Sequence, residues 1–186
     1  MSTFPEILTS RLALRNLEPN DGPRIFSYHR RPEVARFQSW GTDSVDSVQT
    51  YIRGLEAIEP GAPGKWYQVG IFLLDGGKLI GDVGFHVMEH DPEQAEIGIT
   101  VAPDFQRQGY ASEALRAIFN YLFRTLKKHR IFASVDPRNA SSMKLLEAVG
   151  MRKEAHFVRG LWFRDQWVDN VVFALLQEEW TTTSKP

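Results

Sequence analysis

The stretch with the most chemical content is Val101-Ala102-Pro103-Asp104-Phe105-Gln106-Arg107-Gln108-Gly109-Tyr110-Ala111. A strand ends there, a short loop turns, and a long helix begins with the small residues Gly109 and Ala111. Such a junction suits an anion. Amides of a first helical turn point outward without partners, the dipole end is positive, and glycine lets a phosphate come close. Arg107 adds a charge contact to the same place. Taken singly, Gly109 reads equally as a turn residue and Ala111 as core. Rival phosphate motifs fail: Gly61-Ala62-Pro63-Gly64-Lys65 lacks P-loop spacing, Trp66 stands where Ser or Thr belongs, and no G-x-G-x-x-G follows a strand.

Other chemistries are excluded by composition. The chain has no cysteine, which removes disulfides, thiolate nucleophiles and Cys-based metal sites together. His29, His90, His129 and His156 have no metal-ligand spacing, so no metal is expected. The formal net charge of −1 argues against a nucleic-acid partner. No apolar run approaches the roughly 20 residues that span a bilayer, so no membrane partner is expected. Met1 to Glu6 lacks the basic and apolar regions of a signal peptide, which implies a cytoplasmic protein.

The elements that must carry the junction follow from periodicity. At 186 residues the chain fills one domain, set at 8–178, with a frayed tail at 179–186. Leu12 and Leu14 alternate as a first strand, and Pro23 opens a helix through Ile25, Phe26 and Tyr28. Val45, Val48, Ile52 and Leu55 space as a second helix, capped by Thr42 or Asp43. Val69–Leu74 and Leu79–Met88 form a hairpin about Asp75-Gly76-Gly77. A strand through Ile97, Ile99 and Val101 leads to the clearest helix, whose apolar face runs from Ala111 to Leu126. A strand over Ile131–Val135, a helix through Met143, Leu146 and Val149 stopped by Gly150, and strands at His156–Phe163 and Val168–Leu176 complete the chain. The string β-α-α-β-β-β-α-β-α-β-β describes a mixed α/β fold with a partly antiparallel sheet.

Gln106 to Ala111 resembles the Q/R-x-x-G-x-G/A loop of the GNAT N-acetyltransferases. Asn139-Ala140-Ser141-Ser142-Met143-Lys144-Leu145-Leu146-Glu147-Ala148-Val149-Gly150-Met151 is similar to that family's N-x-x-S-x-x-L-x-x-x-G-F segment, with Met151 replacing the usual aromatic. Thr9 to Arg15 and Pro32-Glu33-Val34 resemble its RimJ/RimL-like branch, named for ribosomal-protein N-terminal acetyltransferases. The likeness runs in order from about Leu8 to Leu176. It implies a GNAT-like acyl-CoA N-acyltransferase fold with acetyl-CoA as cosubstrate. In this family the strand before the loop splays from its neighbour, and the pantetheine arm pairs with it like an added strand. Carried over, Ile99, Thr100 and Val101 line the arm, and the loop of Gln106, Arg107, Gln108, Gly109, Tyr110 and Ala111 holds the pyrophosphate. Asn139 contacts the pantetheine or the far side of CoA, and Ser142 sits near the sulfur.

Transfer of acetyl to an amine needs a neutral nucleophile, so a general base is expected. Without cysteine a thioester acyl-enzyme cannot form, which leaves direct attack in a ternary complex. Glu96 is the candidate base; it begins the strand to the loop and shares a face with Gly98 and Thr100. It otherwise reads as a solvated or salt-bridged strand glutamate. Ser142 is the candidate proton donor to the leaving thiolate, or else a capping or packing serine. Phe37, Trp40, His86 and Trp162 are candidate walls of an amphipathic acceptor pocket, although aromatics belong more often to the core. The acceptor is a protein or peptide N-terminal α-amine or a small-molecule amine. A catalytically inactive acetyl-CoA-binding sensor is the alternative. An exposed edge in the closing strands or an aromatic patch would make a homodimer.

Overall fold

The computed structural model describes residues 3–38 and 43–183, with side chains through residue 180. Among the described residues, eight strands form one sheet in the order β1-β2-β3-β4-β5-β6-β8-β7. In chain order they are β1 (Ile7–Leu8), β2 (Leu12–Asn16), β3 (Trp66–Leu73), β4 (Leu79–Val87), β5 (Gln94–Val101), β6 (Arg130–Val135), β7 (Arg152–Phe163) and β8 (Gln166–Leu176). Six helices accompany them: α1 (Gly22–His29), α2 (Pro32–Ala35), α3 (Val45–Leu55), α4 (Tyr110–Asn120), α5 (Ala140–Ala148) and α6 (Gln177–Thr183). All strand pairs are antiparallel except β5 with β6.

One sheet face carries the larger core, where Ala114, Leu115 and Ile118 of α4 meet Phe85, Ile97 and Ile131. Each large side chain sealed there contributes about 1.5–3 kcal/mol. The other face, over β2 to β4, is covered by Ile25 and Tyr28 of α1 and Val48 and Ile52 of α3. The expected long helix is α4. It holds α-geometry to Asn120 and then widens into a π-helical segment, Tyr121–Thr125. The Asp75-Gly76-Gly77 hairpin forms as expected, with Gly76 and Gly77 at positive φ.

Three local expectations change. The cap of α3 is Ser44, whose side chain accepts from the Ser47 amide; Thr42 lies outside the described residues. The chain from 179 onward does not begin as a frayed tail. It continues α6, with Trp180 only 3% exposed against Phe119 and donating to Asn120 Oδ1 at 2.9 Å. α2 and the two-residue β1 also form, each too short to show a period.

Asp82 of β4 is 1% exposed beneath α1. Its Oδ1 accepts from the Tyr28 hydroxyl at 2.5 Å and meets His29 Nε2 at 2.8 Å, and its Oδ2 accepts from Gln68. Burial and the Asp82 charge push the Tyr28 hydroxyl well above its ordinary pKa, so Tyr28 remains a donor. Asp82→Ala leaves the Tyr28 and Gln68 donors without their acceptor in a dry interface, a cost of about 3 kcal/mol. The unfolding midpoint is expected to fall by roughly 6–12 °C. A midpoint within about 2 °C of wild type in a thermal melt would show that this cluster carries little of the stability.

Candidate functional site

β5 pairs with β4 along most of its length, from Ala95 opposite Val87 to Val101 opposite Gly81. Its parallel pairing with β6 covers only Gln94, Ala95 and Glu96. Beyond Glu96, among the described residues, β5 keeps one strand neighbour while β6 continues against β8 to Val135. The two strands therefore diverge in a V, and a cleft of about 610 Å³ opens beside the free stretch of β5.

The cleft is walled on one side by Ile99, Thr100 and Val101. At its mouth stands the start of α4, contributed by Gln106, Arg107, Gly109, Tyr110 and Ala111, and opposite lie Asn139 and Ser142 of the α5 start. Phe37 and Gln38, just after α2, close the remaining side. Gln38 Nε2 donates to Thr100 Oγ1 at 2.7 Å, tying that wall to the buried end of β5.

The loop geometry leaves its amides available. Gly109 is the N-cap of α4 at φ 84°, and Arg107 two residues earlier has φ 60°. Glycine has no side chain to cap the helix, and the first helical bond runs from the Glu113 amide to Gly109 O. The amides preceding Glu113 therefore face the cleft as a positive concavity, the arrangement that suits a pyrophosphate. Gln106 Nε2 donates to Val101 O at 2.9 Å, pinning the loop to the end of β5. The Gln108 side chain turns away to the Asp104 carbonyl at 3.1 Å, and the residue is not among those lining the cleft.

Asn139 caps α5, its Oδ1 accepting from the Ser142 amide at 3.2 Å and from Ser141 Oγ at 2.9 Å. The capping alternative for Ser142 is thus taken by Asn139, and the half-buried Ser142 lines the cleft.

Glu96 lies on the face of β5 that also carries Gly98 and Thr100, at the point where β5 and β6 part. It stands opposite His86, which stands opposite Trp66, so the three share one face across three strands. Trp66 stacks on His86 at 5.3 Å and 18°. Burial raises the Glu96 carboxyl above its ordinary pKa. Neither Glu96 nor His86 lines the cleft itself; between Glu96 and Thr100, nothing approaches within 4 Å of where a Gly98 Cβ would stand. The sequence marks Glu96 and His86 separately; the registers of two successive strand pairs unite them with Trp66.

Trp162 does not line the cleft. It is 56% exposed and packs edge-on against Trp167 on the closing hairpin. That hairpin turns through Arg164 and Asp165, both at positive φ, and Arg164 Nη2 reaches Ala35 O of α2 at 2.8 Å. Trp40 lies outside the described residues. Among the described residues no group of three or more His, Asp or Glu side chains is arranged to hold a metal ion. No described helix is long and apolar enough to cross a membrane.

The fold and cleft define an acetyltransferase, and comparison with known proteins agrees: the acetyltransferase (GNAT) domain family matches residues 11–152. The chain belongs to the GNAT acetyltransferase family and is an N-acetyltransferase of that family. It is 31% identical to the uncharacterized N-acetyltransferase YnaD of Bacillus subtilis, over 94% of this chain and 98% of that one. It is 29% identical to the [ribosomal protein uS5]-alanine N-acetyltransferase of Escherichia coli, over 97% of this chain and 96% of that one. Mycobacterium smegmatis RimJ, solved in complex with CoA-disulfide, superposes with a TM-score of 0.79 at 26% identity, covering 90% of this chain and 83% of that chain.

Proposed function

We propose that this enzyme moves the acetyl group of acetyl-CoA onto the N-terminal α-amine of a protein or peptide by direct attack in a ternary complex. The observation that carries the reading is the V between β5 and β6, with outward-facing helix amides at its mouth and the half-buried Glu96 at its apex. Acetyl-CoA supplies the activated acetyl thioester. The free edge of β5 at Ile99 to Val101 offers backbone groups to an extended pantetheine arm, and the amides about Gly109 receive the pyrophosphate. Glu96 accepts a proton from the incoming ammonium, whose pKa of about 8 leaves much of it charged at neutral pH. Ser142 supplies a proton toward the departing sulfur. A backbone donor near Val101 polarises the acetyl carbonyl. His86 and Trp66 share the face of Glu96 and form an amphipathic border beside the exposed Gly98, where an acceptor amine would approach. The uS5-alanine relative supports a polypeptide acceptor.

The first test is the unfolding midpoint with acetyl-CoA, using ATP and NAD as controls. At a hundred times its Kd, acetyl-CoA adds about 2.7 kcal/mol of stability. For a domain of this size the expected rise is roughly 5–10 °C, specific to acetyl-CoA. No shift would remove the cosubstrate assignment. Thiol release is then followed with an alanine-initiated peptide and with spermidine. Turnover of the peptide supports the acceptor class, and turnover of spermidine alone replaces it with a small amine. Binding without turnover on either leaves an acetyl-CoA-binding sensor.

A further inference from the structure

Arg11 lies just before β2, 97 residues from Gln108 and 102 from Glu113, yet it joins them both. Its Nη1 donates to Gln108 O at 2.9 Å, and its Nε and Nη2 each reach Glu113 Oε2 at 2.7 Å. Its guanidinium lies 4.5 Å from the Tyr110 ring centroid. Glu113 is held in turn by the Arg11 amide at 2.9 Å, Thr9 Oγ1 at 2.6 Å and Ser10 Oγ at 2.9 Å. Against the upward push of burial, these bonds hold its carboxyl at about 2, so the ion pair persists through the whole physiological range.

The bond to Gln108 has a geometric consequence. The described residues contain no cis peptide, and in a trans peptide the C=O and the following N–H point in opposite directions. Drawing the Gln108 carbonyl outward to Arg11 therefore aims the Gly109 amide the other way. Gly109 lines the cleft and Gln108 does not, in agreement with that direction. A glycine at positive φ is otherwise free to rotate this peptide, so something outside the loop must fix it.

We propose that Arg11 is a positioning residue for acetyl-CoA: by gripping the Gln108 carbonyl while anchored to Glu113, it orients the Gly109 amide toward the pyrophosphate without touching the cosubstrate. The proposal rests on the acetyl-CoA reading above. It separates two roles of one guanidinium, an ion pair that ties the β1–β2 turn to α4 and a hydrogen bond that sets the loop.

The test is calorimetric binding of acetyl-CoA to wild type, Arg11→Ala and Arg11→Lys, with the unfolding midpoint of each ligand-free protein. Arg11→Ala is expected to weaken binding about tenfold, the worth of one well-placed charge-assisted hydrogen bond. Lysine retains a cation for Glu113 but cannot span both partners as a planar fork does. Arg11→Lys should therefore recover the midpoint and keep a loss of about fivefold or more in affinity. Arg11→Lys also decides the matter where Arg11→Ala fails to fold. Alanine binding within about twofold of wild type, or lysine restoring affinity in full, overturns the positioning role. Wild type that binds no acetyl-CoA overturns the function reading, and the positioning role falls with it.

Discussion

Glu96→Gln is expected to lower kcat by about 100-fold or more, the usual contribution of a placed general base, and to leave acetyl-CoA binding as it is. The pH profile separates this from a structural effect. Because burial raises the Glu96 carboxyl, the acid limb of kcat/KM in wild type should lie above the 4.5 of an ordinary glutamate, and the variant should lose that limb. Stability should move the other way. A carboxyl raised in the folded protein binds its proton more tightly there than in the unfolded chain. The folded state is thus favoured below that pKa and loses this advantage as pH rises through it. At pH 8 glutamine removes a partly desolvated charge, so the variant's midpoint should equal or exceed that of wild type. Full activity in Glu96→Gln would end the general-base role.

Gly109→Val should raise the KM for acetyl-CoA by about 30-fold or more through two effects, each of roughly 1–2 kcal/mol. A β-branched residue is strained at φ 84°, and the strain is relieved by turning the peptide that must face the cleft. The added Cβ would also stand 3.2 Å from Arg11 Nη2, the far end of a side chain that can give way only by loosening its grip. Gly109→Asn isolates the first effect, since asparagine tolerates left-handed geometry, and it should bind acetyl-CoA better than the valine variant. A valine variant with wild-type KM would show that the loop backbone does not meet the cosubstrate.

The junction itself was legible because its signals are local. Strand alternation ending at Val101, a turn, a glycine and then an uninterrupted apolar stripe lie within about a dozen residues, and the structure keeps that order. Gly150, at φ 97°, ends α5 as a C-terminal glycine should. What stayed hidden depends on distance in the chain. Trp180 follows two glutamates and precedes three threonines, so nothing nearby marks it as core; its partners Phe119 and Asn120 are 60 residues away. The joining of Trp66, His86 and Glu96 depends on the registers of two successive strand pairs, and a slip of one residue would turn each side chain to the opposite face. Trp162 shows the reverse limit. An aromatic near a hairpin turn has two faces available, and only the pairing with Trp167 decides which it takes. Ser44 displaced Thr42 and Asp43 as the cap because a cap belongs to whichever hydroxyl meets the third amide, here that of Ser47.

The parting of β5 from β6 also bears on how such a protein can diverge. Past Glu96 the edge of β5 offers peptide groups, which every residue possesses, while its faces offer side chains. A partner held along the edge is indifferent to most substitutions that keep the strand extended. A molecule approaching across the face of Glu96, Gly98 and Thr100 meets each of them individually. One strand thus offers an edge tolerant of sequence and a face sensitive to it, at right angles to one another. On the proposed reading, substitutions on the face would change the choice of amine while the edge keeps its hold on the cosubstrate.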